Sequence, residues 1–156
     1  MVPRIHTDVQ VMFFDTDCGG VVSNIAYLRF IEIARTHLAE ELGLALVEMA
    51  QKQTYPVVVR TEVDYRRGAR LGDRLVIEGW LDRLERARFW CAFRITRRQD
   101  KTLIAECRQM LALIEMPTEK LLRLPEHWKT YDTAESSKHG ERESRTGTVP
   151  GRECVQ

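Results

Sequence analysis

The chain has 156 residues, 44% hydrophobic and 30% charged, with 24 Lys and Arg against 23 Asp and Glu for a formal net charge of +1. That length supports one globular domain with its own core and is too short for two enzyme domains. The near-neutral balance excludes the basic excess of a generic nucleic-acid binder. No apolar run reaches 18 residues and no signal-peptide pattern follows Arg4, so a soluble, cytoplasmic chain without a membrane span is expected. Cys18, Cys91, Cys107 and Cys154 form no CxxC pair, and His6, His37, His127 and His139 share no ligand spacing with them. Neither a disulfide framework nor a metal site is expected.

In chain order, "DVQVMFF" (residues 8–14) reads as a first strand with apolar groups on both faces. A turn rich in acid and glycine, "DTDCGGVVSN", follows it. From Ile25 to about Leu44 the period becomes helical. Tyr27, Ile31, Ala34, Leu38 and Leu42 form one stripe, flanked by Leu28 and Phe30, with Arg29, Glu32, Thr36 and Glu40 opposite. Ser23 or Asn24 can cap this helix and Gly43 can end it. After a loop ending at Pro56, period two returns, with Val57, Val59, Thr61, Val63 and Tyr65 on one face and Arg60, Glu62, Asp64 and Arg66 on the other. "RLVIEGWLDR", "RFWCAFRITRR" and "TLIAECRQMLALI" continue as strands, with connections short enough to make neighbours antiparallel. The expected fold is α+β, a five-stranded antiparallel sheet wrapped around one long central helix. It occupies residues 1–132, and the polar segment 133–156 is expected to be a flexible tail.

An apolar run leading into Asp15-Thr16-Asp17 can begin a haloacid-dehalogenase-type phosphohydrolase, with one Asp as nucleophile and Mg²⁺ bridging to phosphate. Here Cys18-Gly19 stands where that motif continues with Gly-Thr, and the alternating strand and helix order is missing. The segment "DTDCGGVVSNIAYLRFIEIAR" instead resembles the hot-dog acyl-CoA thioesterases of the 4-hydroxybenzoyl-CoA thioesterase and YbgC type. Their pattern falls on Asp15, Asp17, Gly20, Val21, Val22, Tyr27, Glu32, Ala34 and Arg35. "YPVVVRTEVDYRRGARLGDRLVIEGW" (55–80) is similar to the same family's second and third strands.

The resemblance implies a hot-dog fold and an acyl-CoA thioester hydrolase that releases a free carboxylic acid and coenzyme A, with Asp17 as nucleophile or general base. No metal or bound cofactor is implied, coenzyme A being part of the substrate. Backbone N–H groups at Asn24 and Ile25 are placed to receive the carbonyl oxygen, and Gly20 to let substrate approach the backbone. Tyr27 reads as core first, with its hydroxyl available to the site. Glu32 is a candidate substrate contact that an i,i+3 pair with Arg35 also explains. Asp15 reads as a turn former or the partner of an Arg. Cys18, with carboxylates beside it and no neighbouring His to activate it, reads as a small filler.

Residues 60–108 hold thirteen Lys or Arg against eight Asp or Glu. A solvated basic strand face explains this as well as a surface for the three phosphates of coenzyme A. The resemblance maps phosphate contact to Arg86 and Arg88. It also implies sites shared between subunits of a homodimer or homotetramer, which would cover the open sheet edges. An acyl-carrier-protein thioesterase and a non-catalytic acyl-binding protein remain as alternatives. The second is disfavoured by the expectation of a buried Asp17, since a buried carboxylate without a task costs stability.

Overall fold

The computed structural model describes residues 1–131. The expected tail, 133–156, lies outside the described residues. The sheet is built from β1 (Arg4–Gln10), β2 (Thr54–Tyr65), β3 (Arg74–Leu84), β4 (Arg88–Arg97), β5 (Leu103–Glu115) and the two-residue β6 (Lys120–Leu121). Its order is β1-β3-β4-β5-β2, all neighbours antiparallel, with β6 paired to β5. The concave face wraps α1 (Asn24–Glu41), and a second, seven-residue helix α2 (Leu46–Lys52) precedes β2. The antiparallel α+β architecture matches the expectation, while the sheet has a sixth strand, β6, and α2 is a second helix.

The helical stripe is where the core forms. Tyr27, Phe30, Ile31, Ala34, Leu38 and Leu42 are all buried, whereas Leu28 is 41% exposed. They meet Leu75, Ile77, Phe93, Ile95, Cys107 and Leu111 from the concave face. Gly43, at φ 81°, turns the chain out of the helix, its N–H bonded to the Glu40 carbonyl at 3.0 Å. Gly79 makes room for a ring: a Cβ there would lie 2.9 Å from Phe93 Cδ1.

Three sequence expectations need correction. The first strand runs over Arg4–Gln10, because "RIHTDVQ" alternates Ile5, Thr7 and Val9 inward against charged neighbours. Phe13 and Phe14 leave it for a 3-10 turn and are 81% and 73% exposed. Pro56 lies inside β2 and not before it. β2 is a sheet edge, where a residue without an N–H is tolerated. A bulge between Val58 and Arg60 shifts the register, so Val58 (opposite Leu111) and Thr61 (opposite Gln109) share the concave face, in place of Val57 and Val59.

The C-terminal end of the described chain is anchored by Trp128 in a 3-10 turn (Glu126–Tyr131). Trp128 is fully buried, its ring edge-on to Phe89 at 4.9 Å, and its Nε1–H donates to the Leu42 carbonyl at 2.9 Å. That bond satisfies a carbonyl just past the end of α1. The convex face is polar, with Arg4–Glu78 at 2.9 Å and Arg108–Asp82 at 2.7 Å. The guanidinium groups of Arg4 and Arg108 lie over Trp80 and Trp90, each at 4.9 Å.

Candidate active site

The segment joining β1 to α1 gives its two aspartates different surroundings. Asp15 is 1% exposed. Its Oδ2 accepts from Met12 N–H at 2.8 Å, its Oδ1 pairs with the Arg29 guanidinium, and its carbonyl accepts from Ser23 N–H at 2.9 Å. One buried carboxylate thereby ties the turn to the helix, and the Arg29 charge offsets its desolvation. The reading of Asp15 as an arginine partner holds.

Asp17 is exposed, contrary to the expected buried carboxylate. It makes an Asx-type turn, Oδ1 accepting from Gly19 N–H at 2.8 Å, while the loop closes through Asp17 N–H to Val21 O at 2.9 Å and Gly20 N–H to Asp17 O at 3.0 Å. Gly20 sits at φ 72°, which glycine adopts without strain. A Cβ on Gly19 would come within 3.2 Å of Asp17 Oδ1. The other oxygen, Oδ2, has no partner among the described residues. The ground for setting aside a non-catalytic acyl-binding protein, the cost of burying Asp17, therefore does not hold in this structure.

This loop is joined to the β2–β3 connection. Val22 N–H donates to the Ala69 carbonyl at 2.9 Å, and Val21 bridges Arg70. Ala69 N–H donates to the Tyr27 hydroxyl oxygen at 3.1 Å. Burial raises the Tyr27 pKa above that of a free phenol, although the Ala69 bond pulls it down, so the hydroxyl stays protonated near neutrality.

At the helix start Ser23 is the cap, its Oγ accepting from Ala26 N–H at 3.3 Å, and Asn24 is the first helical residue. Asn24 Oδ1 accepts from Ile25 N–H at 3.0 Å, so the Ile25 amide expected to be open is occupied. The Asn24 N–H has no acceptor among the described residues and is the open donor of the pair. Asn24 and Tyr27 line a cleft of about 310 Å³ together with Val22, Tyr65 and the turn Arg66–Gly68. The Tyr27 and Tyr65 rings are 5.4 Å apart.

Other expected site residues lie elsewhere. Glu32 is two turns along α1 and 3.6 Å from Arg35, outside the cleft. Arg35 donates to Gln109 Oε1 at 2.8 Å, and Gln109 donates to Thr61 at 3.2 Å, a polar link from the helix to the concave face. Arg86 and Arg88 belong to the β3–β4 hairpin. The strand registers place Gln10 beside Arg74 and put that hairpin at the opposite end of β3. At about 3.3 Å per residue the separation is roughly 30 Å, so a single chain does not bring them to Asp17. Tyr65 and Arg67 line the cleft instead. The turn "RRGAR" (66–70) belongs to the basic excess of residues 60–108, and only the fold brings it against the acidic loop. Burial pushes the Cys91 and Cys107 thiols up to about 12, which removes them as nucleophiles. Among the described residues no cluster of three His, Cys, Asp or Glu has the arrangement of a metal site.

A family profile, the Thioesterase-like superfamily, matches residues 11–130. The acyl-CoA thioesterase YbgC of Haemophilus influenzae is 29% identical over 122 residues, covering 78% of this chain and 88% of that protein. Among solved structures, a 1,4-dihydroxy-2-naphthoyl-CoA thioesterase from Synechocystis superposes with a TM-score of 0.73 at 25% identity, over 83% of this chain and 95% of the other. A probable thioesterase from Bartonella henselae superposes with a TM-score of 0.72 at 27% identity, over 79% and 100%. With profile, relatives and fold in agreement, the chain belongs to the thioesterase-like superfamily, as a hot-dog enzyme of thioester hydrolysis of the YbgC-like kind.

Proposed function

We propose that this chain hydrolyses acyl-CoA thioesters to a free carboxylic acid and coenzyme A, with Asp17 as the carboxylate that attacks the carbonyl carbon or activates the water that does. The observation that carries the reading is the unpartnered Asp17 Oδ2, on a carboxylate whose Oδ1 is held by the Gly19 N–H in a loop that also begins the helix with the open Asn24 N–H. A thioester lacks the resonance protection of an amide, so one oriented carboxylate suffices. The developing oxyanion is met by a backbone donor at the positive end of α1. Water adds to the carbonyl carbon, the C–S bond breaks, and the thiolate of coenzyme A leaves and takes up a proton. The proposed reaction calls for no metal and no bound cofactor, and the cytoplasm is the compartment proposed for it.

The working unit is a homodimer or a pair of homodimers. β2 is a twelve-residue edge strand, and Phe13, Phe14 and Ile25 stand 81%, 73% and 74% exposed beside the acidic loop. Antiparallel pairing of two β2 edges about a two-fold axis carries the partner's Arg86 and Arg88 toward the Asp17 end, where they can contact the phosphates of coenzyme A.

Asp17→Asn keeps the size and the Gly19 hydrogen bond while removing the charge. Turnover of acyl-CoA should fall at least ~100-fold with little change in substrate affinity or melting temperature. Wild-type turnover in this variant would overturn the assignment. Single-turnover hydrolysis in ¹⁸O-water then identifies direct attack in which water opens the mixed anhydride at the Asp17 carboxyl carbon, because that route leaves label in Asp17 and general-base catalysis leaves none there.

A further inference from the structure

The turn "RRGAR" (66–70) beside the cleft is fixed from several sides. The N–H groups of Arg66 and Arg67 both donate to the Ile104 carbonyl, at 2.8 and 3.1 Å. From β4, Arg97 donates to the Gly68 carbonyl and to Asp73, each at 3.0 Å. Its three arginines are not equivalent. Arg66 is neutralised by Glu106 at 3.1 Å and Asp64 at 3.8 Å, whereas Arg67 and Arg70 have no carboxylate within ion-pair distance among the described residues.

Arg67 lines the cleft, whose polar groups are donors. The Tyr27 oxygen is used in accepting from Ala69, which leaves its O–H to donate. Asn24 Oδ1 is used on Ile25, which leaves its NH₂, and the Tyr65 hydroxyl has no partner among the described residues. Among the described residues, no acidic one lines the cleft. Such a lining favours an anion.

Distance favours one kind of anion. Asp17 bonds to Val21, and Val21 bridges Arg70. Two such spacings of about 5 Å put the Arg70 end of the basic turn roughly 10 Å from the Asp17 backbone, with Arg67 three residues back along the same turn. The nearest phosphate of coenzyme A is about thirteen bonds from the sulfur, roughly 16 Å in an extended chain at about 1.25 Å per bond. A carboxylate at the far end of a four- to six-carbon acyl group lies three to five bonds from the carbonyl carbon, about 4–6 Å on the same scale, and with a contact of about 3 Å at each end it reaches the turn, whereas a phosphate reaches it only when the pantetheine arm folds back. We infer that the cleft is a subsite for a second carboxylate on the acyl group, held by Arg67 with Arg70 beside it, so that the enzyme selects CoA thioesters of short dicarboxylic acids over neutral ones of equal length. The inference rests on the reading of Asp17 as the hydrolytic carboxylate.

The test compares succinyl-CoA with butyryl-CoA, and the same two acyl groups on N-acetylcysteamine, which carries no phosphate. The wild-type kcat/KM should favour succinyl at least 10-fold on both carriers. Arg67→Gln should bring that ratio near one, and Arg67→Lys should restore part of it. If Arg67→Gln weakens both CoA esters equally and neither N-acetylcysteamine ester, the arginine holds a phosphate of coenzyme A and the inference falls. Calorimetry on Asp17→Asn protein separates this from failure of the hydrolytic reading. Succinyl-CoA binding at least 10-fold tighter than butyryl-CoA supports the subsite whatever the turnover, and equal affinities overturn it.

Discussion

Asp15→Asn keeps an acceptor for the Met12 N–H but removes the charge that faces Arg29 inside a 1% exposed site. Because the Arg29 side chain is 47% exposed, water takes over part of its solvation, and the expected loss is about 1–3 kcal/mol. Its effect on turnover should be smaller than that of Asp17→Asn and its effect on melting temperature larger. Thermal unfolding measured beside hydrolysis checks this crossed ranking. The sequence motif picked out both residues, and the resemblance put catalysis on the second. Which one is buried was not readable, since that depends on Arg29 folding back across the turn. The same holds for Ile25, whose N–H is claimed by a neighbouring side chain that no periodicity reveals.

At the level of elements, β3, β4 and β5 fall where their sequence patterns place them, β3 by strict alternation and β4 and β5 by largely apolar runs, although the β3–β4 and β4–β5 ladders each carry a register shift. β1 and β2 do not. β1 hides its alternation among charged residues, and the bulge in β2 moves the inward face by one residue. The C-terminal anchor went unread for another reason: one tryptophan in a polar stretch carries no period. Trp128→Ala should cost about 3–5 kcal/mol, from the lost ring and the freed Leu42 carbonyl, and chemical denaturation measures it. Gly79→Ala is expected to cost about 1–3 kcal/mol, since its Cβ meets the Phe93 ring at 2.9 Å and the ring, wedged in the core, must shift. A Gly79→Ala protein as stable as the parent would show that Phe93 has another rotamer available.

For the whole molecule, the assembly proposed here makes a direct expectation. Sedimentation at micromolar concentration should show a dimer or tetramer, and a fully active monomer would contradict a shared site. The fold class was readable from element order alone, while assembly was not, because an open edge shows only that something can cover it.

β2 is both that open edge and the strand that delivers Tyr65 and Arg67 to the cleft. Any chain that pairs along it changes the strand whose end shapes the cleft. Association and ligand occupancy are therefore thermodynamically linked, and the linkage is reciprocal: whatever factor assembly adds to ligand affinity, the ligand adds to assembly. Dilution should lower the apparent affinity for substrate, and saturating substrate should hold the oligomer together at concentrations where the empty protein dissociates.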